Sequence, residues 1–124
     1  MIKTVPWKND EYNGAIQSIA GQNISKLKDY VDIISPMTYS HMIKRKPQYI
    51  HDITIEVNEL SDKKVIPCVQ IEKTYLDKNI HIQEFEEMLN YGLKKPSNGI
   101  ILFQYQYLEK DEKKSNLVKN LVWD

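Results

Sequence analysis

Four short stretches bring together residue types that handle polar, ring-shaped ligands: Trp7, Tyr39-Ser40-His41, Gln70-Ile71-Glu72 and Gln104-Tyr105-Gln106-Tyr107. Aromatic faces pack on the apolar faces of a sugar ring, while amide, imidazole and carboxyl groups exchange hydrogen bonds with its hydroxyls. Trp7, Tyr39, His41, Gln70, Gln104 and Tyr105 are therefore candidate carbohydrate-binding residues. Glu72 is the acid directly at the end of a clear apolar run, where a carboxylate can act as acid, base or nucleophile. Glycoside hydrolysis usually takes two carboxyl groups, about 5–5.5 Å apart for retention and about 6.5–9.5 Å for inversion. A partner for Glu72 within this chain would have to be Asp10, Glu11 or Glu109, and none stands at an equivalent strand end.

Other chemistry is poorly represented. His41, His51 and His81 show no metal-ligand spacing, so neither a metal nor another cofactor is expected; His51 and His81 read as helix-surface or capping residues. Cys68 is the single cysteine, which excludes a disulfide scaffold, and its place within a strand reads as that of a small buried apolar residue. The scattered Gly14, Gly21, Gly92 and Gly99 form neither a dinucleotide nor a phosphate-loop fingerprint. Lys44-Arg45-Lys46 reads as a solvated basic loop. The 124 residues carry 17 basic and 17 acidic side chains, and zero net charge argues against a nucleic-acid partner held through phosphates. No apolar run approaches the roughly 18 residues of a membrane span, and the N-terminal residues lack the apolar stretch of a signal peptide, so no membrane partner is expected and no compartment is assigned.

The elements that would position these residues follow from a repeat. Val5-Pro6-Trp7, Ser35-Pro36-Met37 and Ile66-Pro67-Cys68 each set a proline in or beside a short apolar run, and the prolines lie 30 and 31 residues apart. A fourth run, Gly99 to Phe103, follows the third. That period accommodates a strand, a crossover helix and two loops, so the chain reads as a single domain, 1–124, of four consecutive βα units. Strands are expected near 2–7, 31–39, 64–71 and 99–105, parallel because the runs are continuously apolar. Proline removes a ladder donor, so each is taken to mark a bulge or bend near the end of its strand.

Helices fill the gaps. Ile82, Phe85, Met88, Leu89 and Leu93 recur at helical spacing, ending at Lys95-Pro96 before the Ser97-Asn98-Gly99 turn. Ile50, Ile53, Val57 and Leu60 make a second stripe ended by Ser61-Asp62, although Ile53-Thr54-Ile55 also suits a strand. The first connection splits into Ala15–Ala20 and Ile24–Tyr30 around Gly21. The charged run Glu109–Lys114 reads as a solvated loop, followed by a closing helix with Leu117, Val118, Leu121, Val122 and Trp123.

Several of these segments resemble the later part of a mostly uncharacterised glycoside-hydrolase-like (β/α)8 barrel family. The resemblance rests on Val5-Pro6-Trp7, Gly14-Ala15-Ile16, Gly21-Gln22-Asn23 and, most specifically, Asp32-Ile33-Ile34-Ser35-Pro36-Met37-Thr38-Tyr39. It continues through Pro67-Cys68-Val69-Gln70, Ser97-Asn98-Gly99 and Phe103, and covers roughly residues 2 to 108. Asn23 stands where an acid is expected, and His41 lies two places beyond Tyr39 where Tyr-His is expected. The resemblance implies strands five to eight of a (β/α)8, or TIM, barrel, with Glu72 at the usual place of a nucleophile. It also implies a ligand site at the C-terminal ends of the strands. A half barrel exposes its first and last strands, so a homodimer or a missing N-terminal half is expected to complete it. The alternative is a non-catalytic carbohydrate-binding or degenerate half-barrel module.

Overall fold

The computed structural model describes residues 1–74 and 78–121. Val122 and Trp123, expected in the closing helix, lie outside the described residues. Among the described residues there are five short strands: β1 (Ile2–Thr4), β2 (Ile33–Pro36), β3 (Lys64–Val65), β4 (Cys68–Gln70) and β5 (Ile101–Phe103). All pairings are parallel, in the order β1-β2-β3 in one small sheet and β4-β5 in another. Sequential parallel neighbours need a crossover between each pair, which is what the 30-residue period allows.

The two sheets meet where a single continuous strand was expected. Pro67 has no N–H to donate, and the ladder changes partner around it. Ile66 N–H still donates to Ile34 of β2 at 3.1 Å, whereas the Pro67 carbonyl accepts from Ile101 of β5 at 3.0 Å. The expected bend is thus a break, dividing 64–71 into β3 and β4. The other strands are also shorter than their apolar runs suggested. β1 stops before Val5-Pro6, β2 ends on Pro36 itself, and β5, the strand expected over 99–105, ends at Phe103.

Helices α1 (Ala15–Ser18) and α2 (Ile24–Leu27) make the split first connection. The Asn23 side chain caps α2 by accepting from Lys26 N–H. Helix α3 (Gln48–Ser61) resolves the ambiguous stripe as a helix, with Tyr49, Ile50, Ile53, Thr54, Val57 and Ser61 buried along one side. Helix α4 (Ile82–Leu93) buries Phe85, Met88, Leu89 and Gly92. The charged run is not a solvated loop. It spans the end of α5 (Tyr105–Glu109) and the first turn of α6 (Glu112–Lys119), where Asp111 caps Lys114 N–H and Lys114 is buried.

Two apolar clusters result. One joins Ile16 and Ile24 to Ile34, Ile53, Val57 and Val65; the other joins Ile50, Val69 and Ile71 to Phe85, Met88 and Leu89. Along the strands these inward residues alternate with Ser35, Cys68 and Gln70, as strand geometry requires. None of those three belongs to either cluster, so the helices pack on one face and a different chemistry occupies the other.

Candidate functional site

The residues after the strands gather at the C-terminal ends of the parallel strands, where α/β folds hold ligands. After β1, half-buried Trp7 meets the exposed ring of Tyr12 edge-on, with centroids 5.6 Å apart. After β2, Tyr39 lies 5.6 Å from Phe103 at the end of β5. Tyr105 is 70% exposed at the start of α5, with Gln104 before it partly exposed. Trp7, Tyr39, Gln104 and Tyr105 thus all follow strand ends and form a rim, with Tyr12 beside Trp7 and Phe103 beside Tyr39.

Gln70 and His41 are positioned differently. Gln70 is fully buried at the end of β4. Its Oε1 accepts from Met42 N–H at 2.9 Å and its Nε2 donates to the Glu72 carbonyl at 3.2 Å. The amide therefore ties the loop after β2 to the chain leaving β4. His41, in that same loop, places Nδ1 3.0 Å from Glu84 Oε1 and Nε2 2.9 Å from the Lys78 carbonyl. Both neighbours are acceptors, and both contacts are hydrogen bonds when the ring carries both protons. The imidazole thereby bridges the β2 loop to the first turn of α4.

Glu72 closes the exit of β4. Its Oε1 accepts from Lys73 N–H at 3.0 Å and Ile80 N–H at 3.3 Å, and Lys114 Nζ lies 3.3 Å from Oε2. Burial alone would raise its pKa, but the two backbone N–H groups and the Lys114 ammonium outweigh it and hold the carboxyl below its usual range. Lys114 is itself only 2% exposed and donates to the Ile71 carbonyl at 2.8 Å. Among the described residues, no carboxylate is a polar partner of Glu72. Glu11 is engaged at the other end of the rim, accepting from the Tyr49 hydroxyl at 2.5 Å and from Lys8 N–H at 3.2 Å.

Three of these features escaped the sequence reading. Lys114 occupies the same stripe as Leu117, Val118 and Leu121, and that spacing was the available signal for an inward lysine. Arg45 lies in an exposed basic loop, as expected, but there it also covers the Tyr49 ring at 4.7 Å and lies 3.6 Å from Glu11. Cys68 is buried as expected, but its sulfur is not in apolar surroundings: Lys3 Nζ lies at 2.6 Å and Ser35 Oγ at 3.5 Å. Burial, followed by the proximity of Cys68, pushes the Tyr39 phenol up to about 12.

No family model, curated protein or solved structure matches this chain. Among the described residues, no cluster of three histidine, cysteine or acidic side chains is arranged to hold a metal, and no helix is long and apolar enough to cross a membrane. A cleft of about 770 Å³ lies away from the strand-end residues, between the C-terminal parts of α4 and α6. Leu89, Leu93, Leu117 and Leu121 line it alongside Glu86, Lys94 and Lys95. The strand-end residues do not line it, so the sequence candidates and this cleft are separate places.

Proposed function

We propose that the chain is a half-barrel module that binds carbohydrate at the C-terminal rim of its strands, without completing a hydrolytic site by itself. The observation carrying this reading is the pair of aromatic contacts, Trp7–Tyr12 and Tyr39–Phe103, set at the ends of β1, β2 and β5. Accessible rings at strand ends suit the apolar faces of sugars. The carboxylate arrangement favours binding over catalysis, because Glu72 is committed to two backbone N–H groups and Lys114. Parallel sheets usually have both faces covered, whereas here the apolar clusters draw on one. The reading therefore includes a second half barrel, supplied by another copy of this chain or by a separate half-barrel segment.

Isothermal titration of the full chain with cello-, xylo-, chito- and malto-hexaose tests the binding reading. Saturable binding of at least one is expected, weakened about tenfold or more by Trp7→Ala or Tyr105→Ala, which corresponds to roughly 1.4 kcal/mol. Failure of all four to bind at millimolar concentration overturns it. Light scattering after size exclusion reports whether the chain is its own second half.

Hydrolysis in a completed barrel is the second reading, favoured by the ionised state of Glu72 at a strand end. Release of 4-nitrophenol from aryl glycosides, abolished by Glu72→Gln, would establish it. No release by the chain alone is expected on the binding reading.

A further inference from the structure

The face of the strands opposite the apolar clusters carries a small group of reactive side chains that meets the rim only through Tyr39. Lys3 of β1 and Ser35 of β2 are register partners, and Cys68 of β4 stands beyond them. Lys3 Nζ is 3.1 Å from Ser35 Oγ and 2.6 Å from Cys68 Sγ. Ordinary N–H···O hydrogen bonds span about 2.7–3.2 Å, and sulfur is the larger atom, so a nitrogen–sulfur approach of 2.6 Å is closer than such a contact requires. It is the span of a nitrogen and a sulfur joined through one oxygen atom. Cysteines buried among apolar groups alone are inert. Cys68 instead meets an amine, the Ser35 hydroxyl and the Tyr39 phenol. Cys68 is 1% exposed, whereas Lys3 as a residue is exposed.

We propose that Lys3 and Cys68 form an oxidative modification site, in which dioxygen joins Nζ to Sγ through a single bridging oxygen. The Lys3 ammonium first gives its extra proton to solvent; the amine then loses one hydrogen and the thiol loses its hydrogen. One atom of dioxygen becomes the bridge, forming an N–O and an O–S bond, and the other leaves with the two hydrogens as water. The O–O bond is broken, dioxygen accepts four electrons, and nitrogen and sulfur together supply them. Two equivalents of a dithiol return the amine, the thiol and one water. The bridge joins β1 to β4 across β2, residues 65 apart in the chain, so it staples the strands of both small sheets. A cross-link closing so long a loop restricts the unfolded chain, and the oxidised form melts several degrees higher than the reduced form.

Intact-mass spectrometry of the full chain, held in air-saturated buffer and then treated with dithiothreitol, tests the site. The expected product is a species about 14 Da heavier, lost on reduction, because one oxygen is gained and two hydrogens are lost. Trypsin then leaves the peptide containing Lys3 joined to the peptide containing Cys68. Lys3→Arg, which keeps the charge and the contact with Ser35, folds and shows no such species, and Cys68→Ser likewise shows none. An unchanged mass overturns the proposal. So does a product about 16 or 32 Da heavier confined to the Cys68 peptide, which is simple sulfur oxidation. A disulfide-linked dimer, or persistence of the 14 Da product in Lys3→Arg, also overturns it.

Discussion

Lys114 and Glu72 form an ion pair of 3.3 Å between the last helix and the exit of the third βα unit, and the lysine is almost entirely buried. The ammonium also donates to the Ile71 carbonyl and lies 3.9 Å from Asp111, so it is solvated by the protein instead of by water. Removing the Glu72 charge leaves that cation under-compensated, a change that in partly buried sites costs about 1–3 kcal/mol. Glu72→Gln is therefore expected to lower the urea midpoint, and Lys114→Met to lower it as well, since the Ile71 carbonyl loses its donor. The double variant should cost less than the two single changes summed, which is the signature of coupling. Additive losses would remove the pair as a structural link. The acid side follows with a definite sign. Because the folded pKa of Glu72 lies below its ordinary 4.5, its contribution is present above that value and is lost as pH falls through the folded one. Glu72→Gln should flatten that part of the acid unfolding profile.

The four βα units were legible because proline spacing and apolar runs report backbone periodicity directly. Gln48–Ser61 and Ile82–Leu93 follow their stripes, and the Asn98 side chain anchors its turn by accepting from Val65 N–H at 3.1 Å. Strand ends were less legible, since an apolar residue such as Val5 or Ile66 suits a strand and a covered loop equally well. The break at Pro67 needs knowledge of which neighbour each edge faces. Of the candidate residues only the place along the chain was legible. Trp7, Tyr39 and Tyr105 follow β1, β2 and β5, but the burial of Gln70 and the double anchoring of His41 depend on the loop after β2 folding back. Lys114 shows the same limit: a lysine in an apolar stripe is read as an interruption until its partners are known.

Gln70 offers a separate test, because its amide connects two segments far apart in sequence. With the side chain fully buried, Gln70→Leu leaves Met42 N–H without its acceptor and removes the donor to the Glu72 carbonyl. A loss of about 1–3 kcal/mol is expected from unsatisfying such groups. Hydrogen exchange should show faster exchange at Met42. A variant with unchanged urea midpoint and unchanged exchange would free Gln70 for a ligand-facing role instead.

Gly92 reports how closely α4 approaches the sheet. A Cβ there would stand 2.9 Å from Ile100 Cγ2 and 3.1 Å from Val69 Cγ2, both methyls of β-branched side chains with little rotameric freedom. Overpacking of this kind costs about 1–3 kcal/mol, so Gly92→Ala should be destabilising despite the gain in helix propensity. Gly92→Ala combined with Ile100→Ala should lose less than the sum of the two, since the second change vacates the space the first one needs. A stabilised Gly92→Ala would mean that helix and sheet stand further apart.

The alkaline side is governed by Tyr39 and Tyr49. Tyr39 is shifted from 10.0 to about 12, by burial and then by Cys68, and Tyr49 is raised further by burial and its hydrogen bond to Glu11. A raised folded pKa means that the native state holds the phenolic proton more tightly than the unfolded chain does. That contribution is fully present below pH 10 and is lost, for Tyr39, as pH rises towards about 12. Tyr39→Phe keeps a ring to pack against Phe103 but cannot ionise. Its urea midpoint should therefore fall less steeply than that of the parent over this interval, while Tyr49 continues to erode both. Tyrosinate absorbance should show one fewer late-titrating group in the variant. If the two proteins lose stability in parallel throughout, the Tyr39 proton is not coupled to folding, and the phenol faces solvent instead of the Cys68 sulfur.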